Sequence, residues 1–332
     1  MSQTIAPVSA EPVKRELTTV PRFSDKVFRG VVTGGGLSSL LILGLIFVFL
    51  AYQGFSVLRS QGFHFVTGST WQIVQDDAGN IDLANTKFGI AAMLIGTILI
   101  ALIAVVIAVP ISVLSALFLT FYAPPFVKRI MIAVVDLMAA FPSILFGLWG
   151  FFILMPSVEY WAKLIHKYFG FIPIFKLEAP VVTRSPFVAG VVLAVMIIPI
   201  ITSISREIFS QTPLDRVQAA YALGATRWSM IRAVALPYGR SGVVGGAMLG
   251  LGRAMGETVA VYTVLNIIYQ VNWHILLGAG GNVASMILLK FGEAGPQEIK
   301  ALMAAGLVLF LLTLLVNSLA DLVVKSSGGK GR

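Results

Sequence analysis

The longest apolar run of the chain is FGIAAMLIGTILIALIAVVIAVPISVLSALFLTFY, residues 88–122, and it contains no charged side chain. A membrane-spanning helix needs about 20 mostly apolar residues, because its backbone must satisfy its own hydrogen bonds within hydrocarbon about 30 Å thick. The run exceeds that length, so we expect its helix to tilt, protrude or bend near Pro110. This stretch alone predicts a membrane protein.

Composition extends the prediction to the whole chain. Of 332 residues, 57% are hydrophobic and 12% charged, whereas soluble domains have about 45–50% apolar and about 25% charged residues. The net charge of +9 comes from basic residues scattered between apolar runs, so nucleic-acid binding is not expected. We predict an all-α, polytopic membrane protein with about six transmembrane helices. Their predicted bounds are Leu37–Leu58, Phe88–Tyr122, Ile130–Pro156, Phe187–Ser205, Gly242–Ile268 and Ala301–Val324.

Lysine and arginine are distributed unevenly between the connections. Of the 24 basic residues, fifteen fall on one side of the predicted spans, eight, including Arg184, on the other, and Arg253 inside a span. Because cytoplasmic connections carry the excess of Lys and Arg, both termini are predicted to be cytoplasmic. The predicted domains are a cytoplasmic tail over residues 1–30, a transmembrane domain over 31–325 and a second cytoplasmic tail over 326–332.

Several kinds of site are excluded by what the sequence lacks. It has no cysteine, so it has neither a disulfide framework nor a thiolate metal site. Its three histidines are far apart and lack metal-ligand spacing. A Gly-x-x-x-x-Gly-Lys-Ser/Thr phosphate loop does not occur, so the chain is not expected to hydrolyse ATP alone. We therefore predict no catalytic residue and no metal site.

The connection between the fourth and fifth spans carries clear helix signals. Thr212 and Pro213 predict the N-cap and the first turn of a short helix, and Gly224 predicts its end. Thr226 predicts the N-cap of a second short helix, which Pro237 ends before the chain re-enters the membrane. The expected product is a helix–turn–helix knob over residues 213–236 on the cytoplasmic face. Short helices joined rigidly to membrane helices transmit displacement better than a flexible loop.

The knob resembles the EAA loop of bacterial ABC-importer permeases. That pattern is Glu-Ala-Ala, three residues, Gly, nine residues, Ile, any residue, Leu-Pro, and the spacing here matches throughout. Gln218 replaces the glutamate and Val234 the isoleucine, so the resemblance gives no basis for an ionic contact from position 218. The residues that it assigns to ATPase coupling are Gln218, Ala219, Ala220, Gly224, Leu236 and Pro237.

Three further stretches resemble the PstC-type permease family of phosphate-specific ABC importers. They are FPSILFGLWG at residues 141–150, FSQTP at 209–213 and GLGRAMGET at 250–258. The resemblance implies the type I ABC importer permease fold, with a coupling loop at residues 213–236. It also implies a multi-pass protein of the bacterial inner membrane that forms one half of a transmembrane heterodimer.

The resemblance implies the partners as well. They are a PstA-like second permease subunit, a cytoplasmic PstB-like ATPase dimer and an extracytoplasmic PstS-like phosphate-binding protein, with phosphate as the substrate. The ATPase would then hold ATP and Mg²⁺, and this chain would bind no cofactor itself.

Arg253 is predicted to lie near mid-bilayer, roughly 16 Å along the fifth span. An arginine there costs about 2.5–3.5 kcal/mol to insert, so we expect it to face the bundle interior or a wet cavity. Glu257 follows four residues later, on the same helical face. In one interpretation Arg253 binds a passing phosphate and Glu257 holds or releases it. In the other, Arg253 forms a fixed pair with Glu257 or with a carboxylate of the partner subunit. The resemblance to phosphate permeases favours the first.

Small residues recur every four positions in the same span. Gly242, Gly246 and Gly250 form one such ladder. Ladders of this kind let helix backbones approach closely in lipid, so this one predicts tight packing within the subunit or against its partner.

Three other functions are compatible with a polytopic membrane protein: a secondary transporter, a permease for another oxyanion and a membrane enzyme. An ion-gradient-driven secondary transporter typically contains inverted repeats with broken helices, and no clear repeat relates the two halves of this sequence. An ABC permease for another oxyanion, such as sulfate or molybdate, would share the same loop. A membrane enzyme lacks support, because no catalytic carboxylates, metal ligands or Ser/His pairs cluster at membrane depth.

Overall fold

The computed structural model describes residues 22–74, 86–177 and 182–328, without the side chains of residue 321 and residues 323–328. Its helices are α1 (Phe23–Gln61), α2 (His64–Thr67), α3 (Ala91–Leu117), α4 (Pro125–Ala140), α5 (Ser143–Trp149), α6 (Met155–Phe169), α7 (Pro186–Ser210), α8 (Leu214–Ala222), α9 (Arg227–Met230), α10 (Leu236–Gly256), α11 (Val259–Val264), α12 (Val283–Phe291) and α13 (Pro296–Gly328). A short antiparallel pair joins β1 (Trp71–Gln72) to β2 (Lys87–Phe88). π-helical turns extend α3 over Phe118–Tyr122, join α5 to α6 over Gly150–Leu154 and join α9 to α10 over Ile231–Ala235.

Five stretches within the described residues are long and apolar enough to cross a membrane. They are Phe23–Gln61, Ala91–Tyr122, Ser143–Phe169, Pro186–Ser210 and Pro296–Ala320. They overlap the first, second, third, fourth and sixth predicted spans, so the all-α, polytopic class is confirmed. α10 has 21 residues, enough to cross hydrocarbon, but it carries the charges of Arg240 and Arg253.

The fifth predicted span, Gly242–Ile268, is wrong as one helix. α10 ends at Gly256, Glu257 has an extended backbone with ψ of 129°, and the separate α11 follows. Hydropathy does not register this break, because the buried Val261 and Val264 continue the apolar pattern across it.

The third predicted span, Ile130–Pro156, is also wrong as one helix. α4 ends at Ala140, and a new helix begins at Ser143 and runs through α6 to Phe169. Pro142 causes the break, since proline lacks an N–H and pushes the residue before it out of the helical conformation. The bend expected at this proline is therefore a complete interruption.

The chain forms two compact units, Met1–Val48 and Phe49–Arg332. In the first unit, the described residues from Phe23 onward belong to α1, and their apolar side chains are exposed. The part of the predicted N-terminal tail before residue 22 lies outside the described residues. At the other end, α13 extends to Gly328, and the last residues of the predicted C-terminal tail also lie outside them.

In the second unit, α3 and α7 form the centre of the core. The α3 side chains that face α7 are small, and Ala101, Ala104 and Ala108 are buried. At Gly190 of α7, an added Cβ would lie 2.4 Å from Ile103. These small residues allow the two backbones to approach closely, as is usual for helices in a membrane.

α10 packs on α7 through the predicted glycine ladder. A Cβ added at Gly242 would lie 2.4 Å from Ile208 of α7. A Cβ added at Gly250 would lie 2.8 Å from Ile201 of the same helix. Gly242 therefore faces the later residue of α7 and Gly250 the earlier one, so the two helices run antiparallel. Packing within the subunit is therefore confirmed for this ladder.

The β1–β2 pair is tied to the start of α13. Trp71 Nε1–H donates to Glu298 Oε1 at 2.7 Å, and Lys290 Nζ lies 3.6 Å from the same oxygen. Tyr269 stacks on Trp71 with ring centroids 6.0 Å apart. Burial raises the pKa of the Tyr269 hydroxyl, and the neighbouring Glu298 carboxylate raises it further. The cluster fixes the connection before α3 to the C-terminal helix.

Candidate coupling knob and translocation site

The first helix of the knob forms, but Pro213 is its N-cap, in place of the predicted Thr212, and lies outside the helical turns. α8 begins at Leu214, directly after Pro213. Gly224 ends it with φ of 80°, and the N–H groups of Gly224 and Ala225 bond to carbonyls of α8 at 2.9 and 3.1 Å. Most residues with a Cβ are strained in this left-handed conformation, so glycine is the suitable cap.

The second helix of the knob continues into the membrane. Thr226 caps α9, since its Oγ1 accepts the Ser229 N–H at 3.2 Å. Pro237 does not end this helix, contrary to the prediction. α9 passes through a π-helical turn into α10, and Pro237 lies two residues after that turn. A local π-helical adjustment of this kind accommodates a proline inside a continuous helix. The knob is therefore continuous with α10, which suits the transmission of movement.

The knob sits on the ends of α3 and α7. Met230 and Ile231 are buried in one apolar cluster with Phe209 at the end of α7. Arg227 donates a hydrogen bond to the carbonyl of Phe121, at the end of the α3 extension, at 3.4 Å. Movement of the knob must therefore act on α3 and α7 as well as on α10.

The loop residues divide between two faces of the knob. Gln218 and Ala219 are exposed, whereas Ala220 packs against the apolar cluster under the knob. Apolar side chains on the outer face are exposed too, namely Leu214, Tyr221, Leu223 and Trp228, with Leu223 at 89%. A cluster of exposed apolar side chains marks an interaction surface.

Arg253 lies at the level of the middle of α7. Gly250, one turn earlier on α10, faces Ile201 near the middle of α7. The Arg253 side chain is exposed, and within the part of the chain that the structure describes it makes no ion pair. An exposed guanidinium at this depth needs a partner subunit or a water-filled pathway rather than lipid.

Glu257 does not share a helical face with Arg253, so that prediction is wrong. α10 ends at Gly256, and the i,i+4 geometry is lost there. Glu257 is 9% exposed, and its Oε1 accepts the N–H of Ala260 in the first turn of α11 at 3.2 Å. Among the described residues no salt bridge joins it to Arg253. Glu257 thus fixes the break between α10 and α11.

Asn282 also fixes this break, and the sequence interpretation missed it. Its Nδ2 donates to the carbonyl of Glu257 at 2.7 Å, and its Oδ1 accepts the N–H of Ser285 at 2.9 Å. The next residue, Val283, donates its N–H to Thr97 Oγ1 of α3 at 3.1 Å. The available signal was an Asn N-cap before an apolar helical segment. That N-cap signal does not predict the hydrogen bond from Asn282 to the Glu257 carbonyl.

Asn317 is a second polar residue that the sequence interpretation missed. A Cβ on Gly252 would lie 3.7 Å from Asn317 Nδ2, so α13 presents an amide beside the turn of α10 that precedes Arg253. Asn317 is thus a polar group of α13 at the level of Arg253 along α10. The described residues bring no three His, Asp or Glu side chains together as metal ligands.

Comparison with known proteins identifies the class. The family model described as "Binding-protein-dependent transport system inner membrane component" matches residues 108–327, which include the knob, Arg253 and Glu257. The phosphate transport system permease protein PstC 2 of Mycobacterium tuberculosis is 40% identical over 312 residues, 93% of each chain. PstC of Mycobacterium leprae is 40% identical over 94% of this chain and 95% of its own length. The inward-facing MetNI methionine ABC transporter is 21% identical over 72% of this chain and 94% of its own, with a TM-score of 0.49.

The chain therefore belongs to the inner membrane components of binding-protein-dependent transport systems, which have the type I ABC importer permease fold. Within that class it is a member of the PstC family of phosphate transport permeases. It is a multi-pass membrane protein and a transport subunit rather than an enzyme.

Proposed function

We propose that this chain is one half of the membrane pathway of an ATP-driven phosphate importer. The observation that carries the proposal is the 40% identity with PstC 2 of M. tuberculosis over 93% of both chains. Two features of the chain support it: a knob continuous with α10, and an exposed arginine, Arg253, in the last turn of α10. A PstA-like permease supplies the other half of the pathway, and a PstS-like protein delivers phosphate to it.

The knob is the contact for a PstB-like ATPase dimer, which binds ATP and Mg²⁺ and hydrolyses the nucleotide. Leu214, Leu223 and Trp228 supply the exposed apolar surface for this contact. Gly224 holds the turn between the two knob helices, while Leu236 and Pro237 join the knob to α10. Gln218 and Ala219 lie exposed on the same knob, and Ala220 seats it on the cluster below.

Transport follows from alternating access. ATP binding closes the ATPase dimer, and the knob transmits this movement through α10 to the level of Arg253. The planar guanidinium of Arg253 binds two phosphate oxygens through parallel hydrogen bonds. Glu257 is a positioning residue in this pathway, because it holds α11 against the end of α10.

Uptake by a reconstituted complex tests this function. Proteoliposomes should contain the chain with its second permease and ATPase, with phosphate-loaded binding protein outside and ATP inside. We expect labelled phosphate uptake that requires both ATP and the binding protein and that sulfate and molybdate do not compete. Uptake that persists without ATP while an ion gradient is intact would instead favour a secondary transporter. Strong competition by sulfate or molybdate would change the substrate.

The orientation has its own test. We propose that the protein lies in the bacterial inner membrane with both termini and the knob in the cytoplasm. The chain has no cysteine, so single cysteines report cleanly. Leu223 and Phe171 are 89% and 82% exposed. In intact spheroplasts, a membrane-impermeant maleimide should label Phe171→Cys at once and Leu223→Cys only after permeabilisation. The reverse pattern would put the knob beyond the reach of any cytoplasmic ATPase.

A further inference from the structure

A cavity of about 440 Å³ lies beside the N-terminal end of α7. Its walls carry one cation, Arg184, and the polar side chains of Tyr262, Thr263 and Asn266. The described residues that line it include no acidic side chain. α7 has 25 residues and spans about 37 Å at 1.5 Å per residue. The cavity and the knob therefore lie at opposite ends of α7.

Contacts on two sides hold Arg184 in place. Its Nη1–H donates to Asn266 Oδ1 at 2.7 Å. Its guanidinium carbon lies 5.6 Å from the centroid of the Phe151 ring, within the range of a cation–π contact. Ser185 follows directly as the N-cap of α7, so the backbone of Arg184 is anchored to that helix.

This arrangement leaves donors for a ligand. The hydrogen bond to Asn266 uses one of the five N–H groups of the guanidinium. Because Oδ1 of Asn266 already accepts from Arg184, the amide Nδ2 remains as a donor beside the cation. Tyr262 also lines the cavity, and its hydroxyl can donate or accept a hydrogen bond. A cation with neutral donors around it, in a cavity without a carboxylate among its described walls, suits a small tetrahedral oxyanion.

We infer that the Arg184 cavity binds phosphate at the outer mouth of the pathway, before the anion reaches Arg253. The choice of phosphate and of the outer side rests on the proposed function. α11 connects the two positions, since Tyr262 and Thr263 lie on it and its first residue follows the break at Glu257. Its six residues span about 9 Å along the helix axis.

The hydrogen bond between Arg184 and Asn266 could instead serve only as a structural latch between two segments. A latch and an anion site respond differently to substitution. Asn266→Asp keeps an oxygen that accepts the Arg184 hydrogen bond, so a latch would survive or strengthen. The same change neutralises the cation and removes the Nδ2 donor, so an anion site would be lost. Arg184→Lys keeps the charge and loses the planar fork. Lys163→Ala removes one charge from the α6 surface, where the ammonium pairs with Glu159, and serves as the control.

The experiment measures ATP-dependent uptake of inorganic phosphate by the reconstituted complex, with the binding protein at saturation. We expect Arg184→Ala and Asn266→Asp each to lower uptake about tenfold or more, Arg184→Lys to lower it less, and Lys163→Ala to leave it unchanged. Co-purification of all subunits with each variant controls for assembly.

The outcomes separate the two proposals. If the wild-type complex takes up phosphate while Arg184→Ala and Asn266→Asp keep the wild-type rate, the cavity site is refuted and the function stands. Loss of uptake in Arg184→Ala with normal uptake in Asn266→Asp also refutes the site, because a latch accounts for it. Absence of ATP-dependent phosphate uptake in the wild-type complex refutes the function itself.

Discussion

Replacement of Arg253 by alanine is expected to lower phosphate uptake roughly 30- to 150-fold, because the pathway loses about 2–3 kcal/mol of charged hydrogen bonding to the anion. The effect falls on transport and not on assembly, since the side chain is exposed and makes no ion pair within the described residues. The measurement is ATP-driven uptake of labelled phosphate by reconstituted complexes, with subunit composition checked by co-purification.

Two further variants identify what the guanidinium contributes. Arg253→Lys should recover part of the uptake, since it keeps a charge but not the bidentate fork. Arg240→Ala removes an exposed cation nearer the start of the same helix and should transport almost normally. Assembled Arg253→Ala complexes with undiminished uptake would show that this residue does not contact the substrate.

Gly224→Val should separate ATP hydrolysis from transport, or prevent the ATPase from docking. Gly224 has φ of 80°, and a β-branched residue there costs about 1–3 kcal/mol of backbone strain. The turn between the two knob helices would then open, and phosphate taken up per ATP hydrolysed should fall at least about fivefold. Uptake and ATP hydrolysis are measured in the same proteoliposomes.

Gly224→Asn is the matched control, because asparagine also adds a Cβ but tolerates the left-handed conformation better than valine. No atom lies within 4 Å of a Cβ at this position, so neither variant meets a steric clash in the isolated chain. Asparagine should therefore retain most of the coupling that valine loses. Equal, normal coupling in both variants would count against the knob as the ATPase contact.

Local sequence chemistry accounts for the parts of the site that the sequence predicted correctly. Gly224 and Thr226 act through their own backbone and the next few residues, so their spacing was enough to predict the turn and the second helix start. The glycine ladder on α10 could also be predicted from the local sequence. A helix face without Cβ atoms allows the neighbouring helix, here α7, to approach closely.

The errors fall where distant residues decide. Glu257 looked like the helical neighbour of Arg253, yet Asn282, far along the chain, bonds the Glu257 carbonyl beside the break. Pro237 is an exception with a local cause, because the π-helical turn directly before it lets the helix continue. Arg184 looked like one more basic residue in an outer connection, because Asn266 and Phe151, which hold it at a cavity, come from other segments.

Apolar length and the cap residues of the loop by themselves determined that this protein is a helical membrane protein with a helix–turn–helix knob after its fourth predicted span, because a bilayer and a helix cap each act on short, contiguous stretches of chain. Tertiary structure alone decided that the fifth predicted span breaks at Glu257 and which polar groups come together. Those outcomes depend on hydrogen bonds between segments far apart in sequence, such as the bond from Asn282 to Glu257, and hydropathy carries no information about such bonds.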